Sequence, residues 1–422
     1  MFCNYSELFE MQKLPMEEKL AITVGEMGKA IKLSRHKIAI AFSGGKDSQV
    51  VAHIFKTNYP DVEVHGIFGN TGVEYPESLR FARDYGKRLF GEQFFHEAKP
   101  GVLEEDGLKY EAQKETLEWL IREGRASEVL QADGKLKTTK ALETAATPEM
   151  WEDFRNRNLV WRKGTPISYW WCVDQYGFPI LGKAASKLDA RRINIDCFLR
   201  FSNSKSEKSE LIEYYNMLRE VKISQHCCKL LKKEPSERLQ SEIDVDVIIK
   251  GLMAAESRSR QTNFCTRGYI FESKRQHLGD DPFYHVNPIS IWTDEDIWEY
   301  IHKYIGEYSP LYDMGWEDQH GEFHNIKRNG CMGCATGIMF ADNQMAMLRR
   351  THPQAWRAIM KSGMAKELQA LRLYKSNGLI SFFDYMSSAD ELIDLHPCVF
   401  DSVSELVMSD SLTTSEYDAE DL

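Results

Sequence analysis

Three groups of residues have the types and spacing for chemistry. The first is Ser43-Gly44-Gly45-Lys46-Asp47-Ser48. Glycines at such a turn let backbone N–H groups point at an anion, and a helix beginning there adds the positive end of its dipole. Lys46 and the two hydroxyls complete a cradle for phosphate. The Walker loop needs four residues between its first glycine and Gly-Lys-[Ser/Thr], so this is a different phosphate loop. An ordinary tight turn before a helix would explain the glycines but not the full set.

The second group is polar and cationic. Lys250-Gly251-Leu252-Met253-Ala254-Ala255-Glu256-Ser257-Arg258-Ser259-Arg260 follows an apolar run and ends in two arginines. A guanidinium fork matches the oxygens of phosphate or sulfate, whereas the bland alternative is a solvated basic turn. Asn70-Thr71-Gly72-Val73-Glu74-Tyr75-Pro76-Glu77 ends another apolar run. Its polar residues suit a nucleotide pocket, or equally a turn with Pro76 in the first turn of a helix.

The third group is thiols. Four of the nine cysteines are paired, as Cys227-Cys228 and as Cys331-x-x-Cys334. Zinc, a redox pair and an iron–sulfur cluster all use such residues. Adjacent side chains diverge and rarely serve one small tetrahedral ion, whereas a cube offers four separate iron corners. Lys229, Lys232 and Lys233 follow directly and would offset the charge of four thiolates.

Together the loop resembles the PP-loop of the adenine-nucleotide α-hydrolase superfamily. From about residue 37 to residue 340 the chain resembles that superfamily's phosphoadenylyl-sulfate (PAPS) reductase family. Residues 70–77 look like its Asp-Thr-Gly-x-Glu-x-Pro-Glu, and residues 250–260 look like its Gly-x-Arg-x-x-[Glu/Gln]-Ser-x-x-Arg. Cys-Cys … Cys-x-x-Cys is the signature of its cluster-bearing members. The resemblance implies an α/β fold, with a parallel twisted sheet flanked by helices. It implies a nucleotide, ATP or adenylyl sulfate, held by Ser43, Gly44, Gly45, Lys46, Asp47, Ser48, Asn70, Thr71, Gly72 and Glu74, with magnesium as a companion ion. Lys46, Asp47, Arg258 and Arg260 would be catalytic. A 4Fe-4S cluster would sit on Cys227, Cys228, Cys331 and Cys334, and a thiol or a ferredoxin-type protein would supply electrons.

Two features depart from the family pattern. Met253 stands where the reductases carry an arginine. The Glu-Cys-Gly-[Leu/Ile]-His motif, whose thiolate attacks the sulfate sulfur, does not occur, and the last cysteine is Cys398 beside His396. Three functions are therefore expected: sulfonucleotide reduction or sulfur transfer by a PAPS-reductase-like enzyme; ATP-dependent adenylating sulfur transfer to nucleic acid, as in DNA phosphorothioation or tRNA thiolation; and nucleotide binding by a non-catalytic accessory subunit.

The elements that must position these residues follow from periodicity. KIAIAF (37–42), VEVHGIFGN (62–70), EQFFHEAKP (92–100) and VDVIIKGL (245–252) read as strands, with helices after the first two. Strands alternating with helices predict a parallel sheet. Residues 1–36 form a helical leader. Residues 37–100 and 200–340 form the nucleotide domain with its cysteine segment, interrupted by a helical, aromatic insertion over 101–199. That insertion carries Arg155, Arg157, Trp161, Arg162, Lys163, Trp170 and Trp171, which would either pack a second core or stack on a nucleic-acid strand. Thr293 with Asp296 fits a capping box, and Ile297, Tyr300, Ile301 and Tyr304 form a helical stripe. Residues 341–400 form a helical layer, and 401–422 an acidic disordered tail.

The chain has 422 residues, 42% of them hydrophobic and 28% charged, with a net charge of -11. That balance argues against a broad nucleic-acid footprint. No run of about 18 apolar residues and no basic-then-apolar leader occurs, which predicts a cytoplasmic protein with no membrane contact. A reducing compartment would leave the cysteines free of disulfides.

Overall fold

The computed structural model describes residues 1–132, 136–177, 226–317, 322–334 and 344–359. The sheet begins with β1 (Lys37–Ala41), α3 (Lys46–Asn58), β2 (His65–Gly69), α4 (Pro76–Phe90) and β3 (Phe95–Ala98). It resumes with β6 (Val245–Lys250), β7 (Ile270–Ser273) and β8 (Phe283–Val286). These strands form one sheet in the order β3-β2-β1-β6-β8-β7. β1 pairs in parallel with both β2 and β6, and β6 in parallel with β8. Strands buried on both faces carry unbroken apolar runs, and Ile38, Ala39 and Ile40 are all buried.

The parallel sheet expected from the sequence is completed by an antiparallel edge, because β7 runs against β8. Residues 274–282 join them, and that link is too short for a parallel crossover. One face of the sheet packs on α3 and α4 through Val50, Ile54, Phe55, Ala82 and Phe90. The other face carries Ala39, Ile67, Ile248 and Phe283, which pack against Leu239 and Ile243 at the end of α10 (Glu234–Glu242).

The leader, α1 (Tyr5–Gln12) and α2 (Met16–Leu33), belongs to the core. Thr23 of α2 donates its hydroxyl to the Pro288 carbonyl at 3.0 Å and accepts the Trp292 indole N–H at 2.9 Å. Lys19, only 2% exposed, places Nζ 2.5 Å from Asp296 Oδ2. Asp296 also closes the capping box with Thr293 that starts α12 (Asp294–Tyr300). Of the stripe expected after it, Ile297, Tyr300 and Ile301 are buried, but Tyr304 is 43% exposed. A π turn over Ile301–Ile305 adds a residue per turn and swings Tyr304 out of register.

The insertion is mostly helical: α5 (Tyr110–Arg122), α6 (Thr139–Ala145), α7 (Pro148–Asn156) and α8 (Tyr169–Tyr176), with a ribbon of β4 (Gly107–Leu108) and β5 (Val160–Trp161). It has two small cores, one around Leu117, Leu120 and Leu142 with Trp119 on its rim, the other around Phe154 and Val160 with Trp151. Arg157 pairs with Glu115 at 2.6 Å, and Arg155 lies over the Trp151 ring at 5.3 Å. These basic and aromatic residues are thus engaged inside the insertion.

Among the described residues, β9 (Gly315–Glu317) and β10 (Phe323–Asn325) form a second ribbon, and α13 (Gln344–Thr351) and α14 (Pro353–Ile359) end the chain. The acidic tail, Cys398 and most of the helical layer expected after 341 lie outside the described residues. No described helix is long and apolar enough to cross a membrane.

The buried Lys19–Asp296 pair ties the leader to the cap of α12. Removing one partner leaves an uncompensated charge, so Lys19→Ala should lower the unfolding free energy by about 3–5 kcal/mol in urea denaturation.

Candidate functional site

The SGGKDS segment turns from β1 into α3 at the carboxyl edge of the sheet, where open α/β sheets bind ligands. Gly44 has φ +70°, and a Cβ there would lie 2.6 Å from the Ala82 Cβ of α4. The turn therefore needs glycine both for its backbone and for its packing. Gly45 caps α3, and the hydroxyls organise the turn from inside. The Ser43 N–H donates to Ser48 Oγ at 3.1 Å, and the Ser48 hydroxyl donates to the Gly45 carbonyl at 2.9 Å. The Asn329 amide reaches across to the Ser43 carbonyl at 3.1 Å.

Lys46 is buried at 6% exposure. Its Nζ lies 2.8 Å from Asp47 Oδ1 and 2.6 Å from Asp294 Oδ1 at the start of α12. Burial alone would lower its pKa, but the Asp47 and Asp294 carboxylates outweigh that and hold it above its usual value. Lys46 is therefore a permanent cation in neutral solution. Its backbone N–H donates to the buried Tyr312 hydroxyl at 3.0 Å, and burial pushes that phenol up to about 12. Asp294 and Tyr312 come from distant segments, and no local pattern ties them to the loop.

The strand end beyond β6 closes the other side. A Cβ on Gly251 would fall 2.8 Å from the Asp47 carbonyl carbon and oxygen. Gly251 thus lets two backbones touch beside the first turn of α3. Further on, α11 (Arg258–Arg267) carries the two arginines expected at the site. Arg260 pairs with Glu256, and burial pushes its guanidinium down while Asp47 attracts it and Arg328 repels it. Arg258 is exposed on the first turn of α11, and its carbonyl accepts the Thr262 hydroxyl. Met253, the departure from the family pattern, is a core residue at 2% exposure.

The Asn70–Glu74 segment is a self-satisfied turn beyond β2. Glu74 accepts from the Thr71 N–H at 3.0 Å, the Thr71 hydroxyl at 2.6 Å and the Gly72 N–H at 3.1 Å. Asn70 Oδ1 accepts from the same Gly72 N–H at 3.0 Å. This turn is docked on the cysteines. Glu74 and Cys331 form an antiparallel bridge, and the Met332 N–H donates to the Val73 carbonyl at 2.8 Å. Thr71 Oγ1 lies 3.5 Å from Cys331 Sγ.

Electrostatic coupling links the two cysteine pairs, Cys334 acting on both Cys227 and Cys331. Cys227 and Cys228 lie in α9 (His226–Cys228), which runs into a π turn over Lys229–Lys233. Their thiols are hydrogen-bonded, which lowers the pKa of Cys228 and raises that of Cys227. Lys232 and Lys233 further favour the Cys228 thiolate, while Lys229 instead pairs with Glu234 at 3.3 Å. Burial pushes Cys331 up to about 12, against the pull of Thr71 and Lys232. From the insertion, the buried Tyr169 hydroxyl donates to the Gly333 carbonyl at 2.5 Å. The Tyr169 ring fills the space a Cβ on Gly333 would need, 2.6 Å from its Cζ. Tyr169 is raised by burial and by Cys227, Cys334, Cys331 and Cys172. Cys172, one turn along α8, is raised to about 12 by burial and by Cys228. Sequence spacing gave no hint of either residue. Among the described residues, no three His, Cys, Asp or Glu side chains are grouped closely enough to hold a metal ion.

A mostly parallel six-stranded sheet flanked by helices, with a glycine-rich loop at its carboxyl edge and Cys331 docked on the turn beyond β2, defines the class of fold. The model of the phosphoadenosine phosphosulfate reductase domain matches residues 37–147 and 158–337, well over half of the chain. The chain belongs to that family. The phosphoadenosine 5'-phosphosulfate reductase of Xanthomonas axonopodis pv. citri is 29% identical over 117 residues, covering 28% of this chain and 39% of that protein. Its counterpart in Xylella fastidiosa is 34% identical over 99 residues, covering 23% of this chain and 36% of that protein. The matched stretch thus spans less than two fifths of either relative. A solved phosphoadenylyl-sulfate (PAPS) reductase from Candida auris, in complex with phosphate, covers 78% of this chain and 99% of its own, at 12% identity and a TM-score of 0.32.

Two outcomes test this geometry. Gly251→Ala should destabilise the fold by about 1–3 kcal/mol in denaturant titration and weaken nucleotide binding, because the new methyl pushes on the first turn of α3. Asp294→Asn should do the reverse for the ligand. With one of its two carboxylate partners gone, Lys46 is freer to meet a phosphate, and calorimetry should show nucleotide affinity rising about two- to fivefold.

Proposed function

We propose that this chain is an enzyme of sulfur chemistry that binds an adenylyl sulfate or PAPS at the SGGKDS loop and carries a 4Fe-4S cluster on Cys227, Cys228, Cys331 and Cys334. The observation that carries this reading is the backbone bridge between Val73–Glu74 and Cys331–Met332, which joins the nucleotide edge of the sheet to the thiols. The donor set supports a cluster: four cysteines in two pairs, with Lys232 and Lys233 offsetting their charge. When bound, the cluster supplies a redox-capable, anionic centre next to the reacting end of the nucleotide.

The chain's own residues then divide the work. Lys46 exchanges Asp294 for a phosphate oxygen, and the Ser43 and Ser48 hydroxyls with the N-terminus of α3 hold the rest of that group. Arg260, already turned towards Asp47, meets a second oxyanion oxygen. The Thr71–Glu74 turn sets the distance between the nucleotide and Cys331. Reduction of the sulfonucleotide to sulfite and the free nucleotide takes two electrons, which a dithiol donor supplies as it closes to a disulfide.

Iron and sulfide content of anaerobically purified protein tests the cluster. About four of each per chain, with a brown colour that Cys331→Ser abolishes, is expected. A colourless, zinc-loaded protein would overturn it. Activity is tested separately: dithiol-dependent sulfite release from PAPS or adenylyl sulfate is expected. Pyrophosphate release from ATP and magnesium would instead show an adenylating sulfurtransferase, and tight binding without turnover an accessory subunit.

A further inference from the structure

On the face of the sheet that packs against α10, away from α3, lies a cationic cluster that the proposed reaction does not use. Lys250 is the last residue of β6. Ile248 is in register with His285, so Lys250, two positions on, projects from the same face. Phe271 is in register with His285 across the antiparallel edge, and Ser273 follows on that face. Lys250 Nζ lies 3.0 Å from His285 Nδ1, and Ser273 Oγ lies 2.9 Å from His285 Nε2. Two arginines close the ring. Arg275 lies 5.0 Å over the Phe283 ring and Arg267 lies 4.8 Å over the Phe271 ring, and both rings contact His285.

The charges do not balance. Three cations surround one imidazole, and among the described residues their one ion pair is Arg275 with Glu237 of α10, at 2.9 Å. The Arg275 Nε is buried and has no hydrogen-bond partner. Lys250 has donors only, so His285 Nδ1 must accept from it and Nε2–H must donate to Ser273. Burial, Lys250, Arg275 and Arg267 together push His285 down to about 4, which keeps that neutral tautomer in place. The same arrangement excludes a Ser–His nucleophile, because the nitrogen facing Ser273 already carries a proton. What remains is the Ser273 O–H, the Lys250 ammonium and the unpartnered Arg275 Nε–H, facing a single carboxylate, that of Glu237.

We propose that Lys250, Ser273 and Arg275 form a second oxyanion site, for a tetrahedral phosphate or sulfate group. Two half-buried cations facing one carboxylate leave positive charge uncompensated, and a tetrahedral anion is the ligand that removes that cost. Arg267 strengthens the field at the rim, and Glu237 holds the Arg275 fork in place. The group can arrive as a free ion or attached to a nucleotide, because the chemistry that holds it is the same.

Phosphate calorimetry in a Lys46→Gln background, which weakens the loop, isolates this site. Phosphate and sulfate should still bind there at millimolar concentration. Adding Lys250→Gln or Arg275→Gln should weaken that binding at least tenfold, and Lys250→Arg should restore most of it. Unfolding transitions confirm that each variant is folded; should Lys250→Gln fail to fold, Arg275→Gln carries the same expectation. Unchanged phosphate affinity in both glutamine variants, or no phosphate binding at all once Lys46 is replaced, overturns the proposal. With Lys46 intact, adenosine mono- and bisphosphate distinguish the sources. Tighter binding of the bisphosphate that vanishes in Lys250→Gln marks a group carried by the nucleotide. Equal binding of the two, with phosphate still bound beside the monophosphate, marks a free ion. The reductase reading can fail while this site stands, since its assay needs neither a cluster nor turnover.

Discussion

Two parts of the chain that are far apart in sequence meet through one backbone hydrogen bond, from the Met332 N–H to the Val73 carbonyl. Almost everything in the site depends on it. The turn beyond β2 is rigid because Glu74 satisfies three donors of that turn. A rigid turn can dock a neighbouring strand, and the docked strand is the one that carries Cys331. The loop at the end of β1 is fixed to the same region from the other side, through Tyr312 and Asn329. The loop is thus held by Tyr312 and Asn329, and Asn329 lies two residues before Cys331, so the loop and that thiol are tied to neighbouring positions of the chain.

The loop itself is electrostatically closed. Lys46 is satisfied by two carboxylates, so an arriving phosphate does not meet a bare ammonium but competes with Asp294. That competition is mild because Asp294 is 59% exposed and readily rehydrated. Asp47 is different: it sits on α3 and also attracts Arg260. Its backbone carbonyl lies against Gly251 at the strand end of β6, while its carboxylate holds Lys46.

Much of this was legible in the sequence. Alternating apolar runs and amphipathic stretches placed β1, β2, β3 and β6, and the SGGKDS loop fell between strand and helix as its composition required. The Thr293–Asp296 capping box is a local signal and appears as such. The antiparallel edge was not legible, since strand direction is set by the length of the connection and by pairing, not by composition. Tyr304 left its stripe because a π turn is invisible to a constant period. Arg258 and Arg260 look alike in sequence, but Arg260 is half-buried and paired with Glu256 while Arg258 is exposed. Asp294, Tyr312 and Tyr169 reach the site across more than a hundred residues and Cys172 across more than fifty, which leaves no local trace.

Tyr169 and Cys172 also change what the insertion is. Its helices bury two small cores of their own, enough to look like a separate module. Yet the last of them, α8, packs its tyrosine onto Gly333 so closely that a single methyl there would collide with the ring. Glycine at 333 and an aromatic residue at 169 therefore depend on each other. The family match, too, runs through the insertion, leaving out only a short stretch of it. An element that donates a buried hydroxyl to the backbone between Cys331 and Cys334 is part of the wall of that centre.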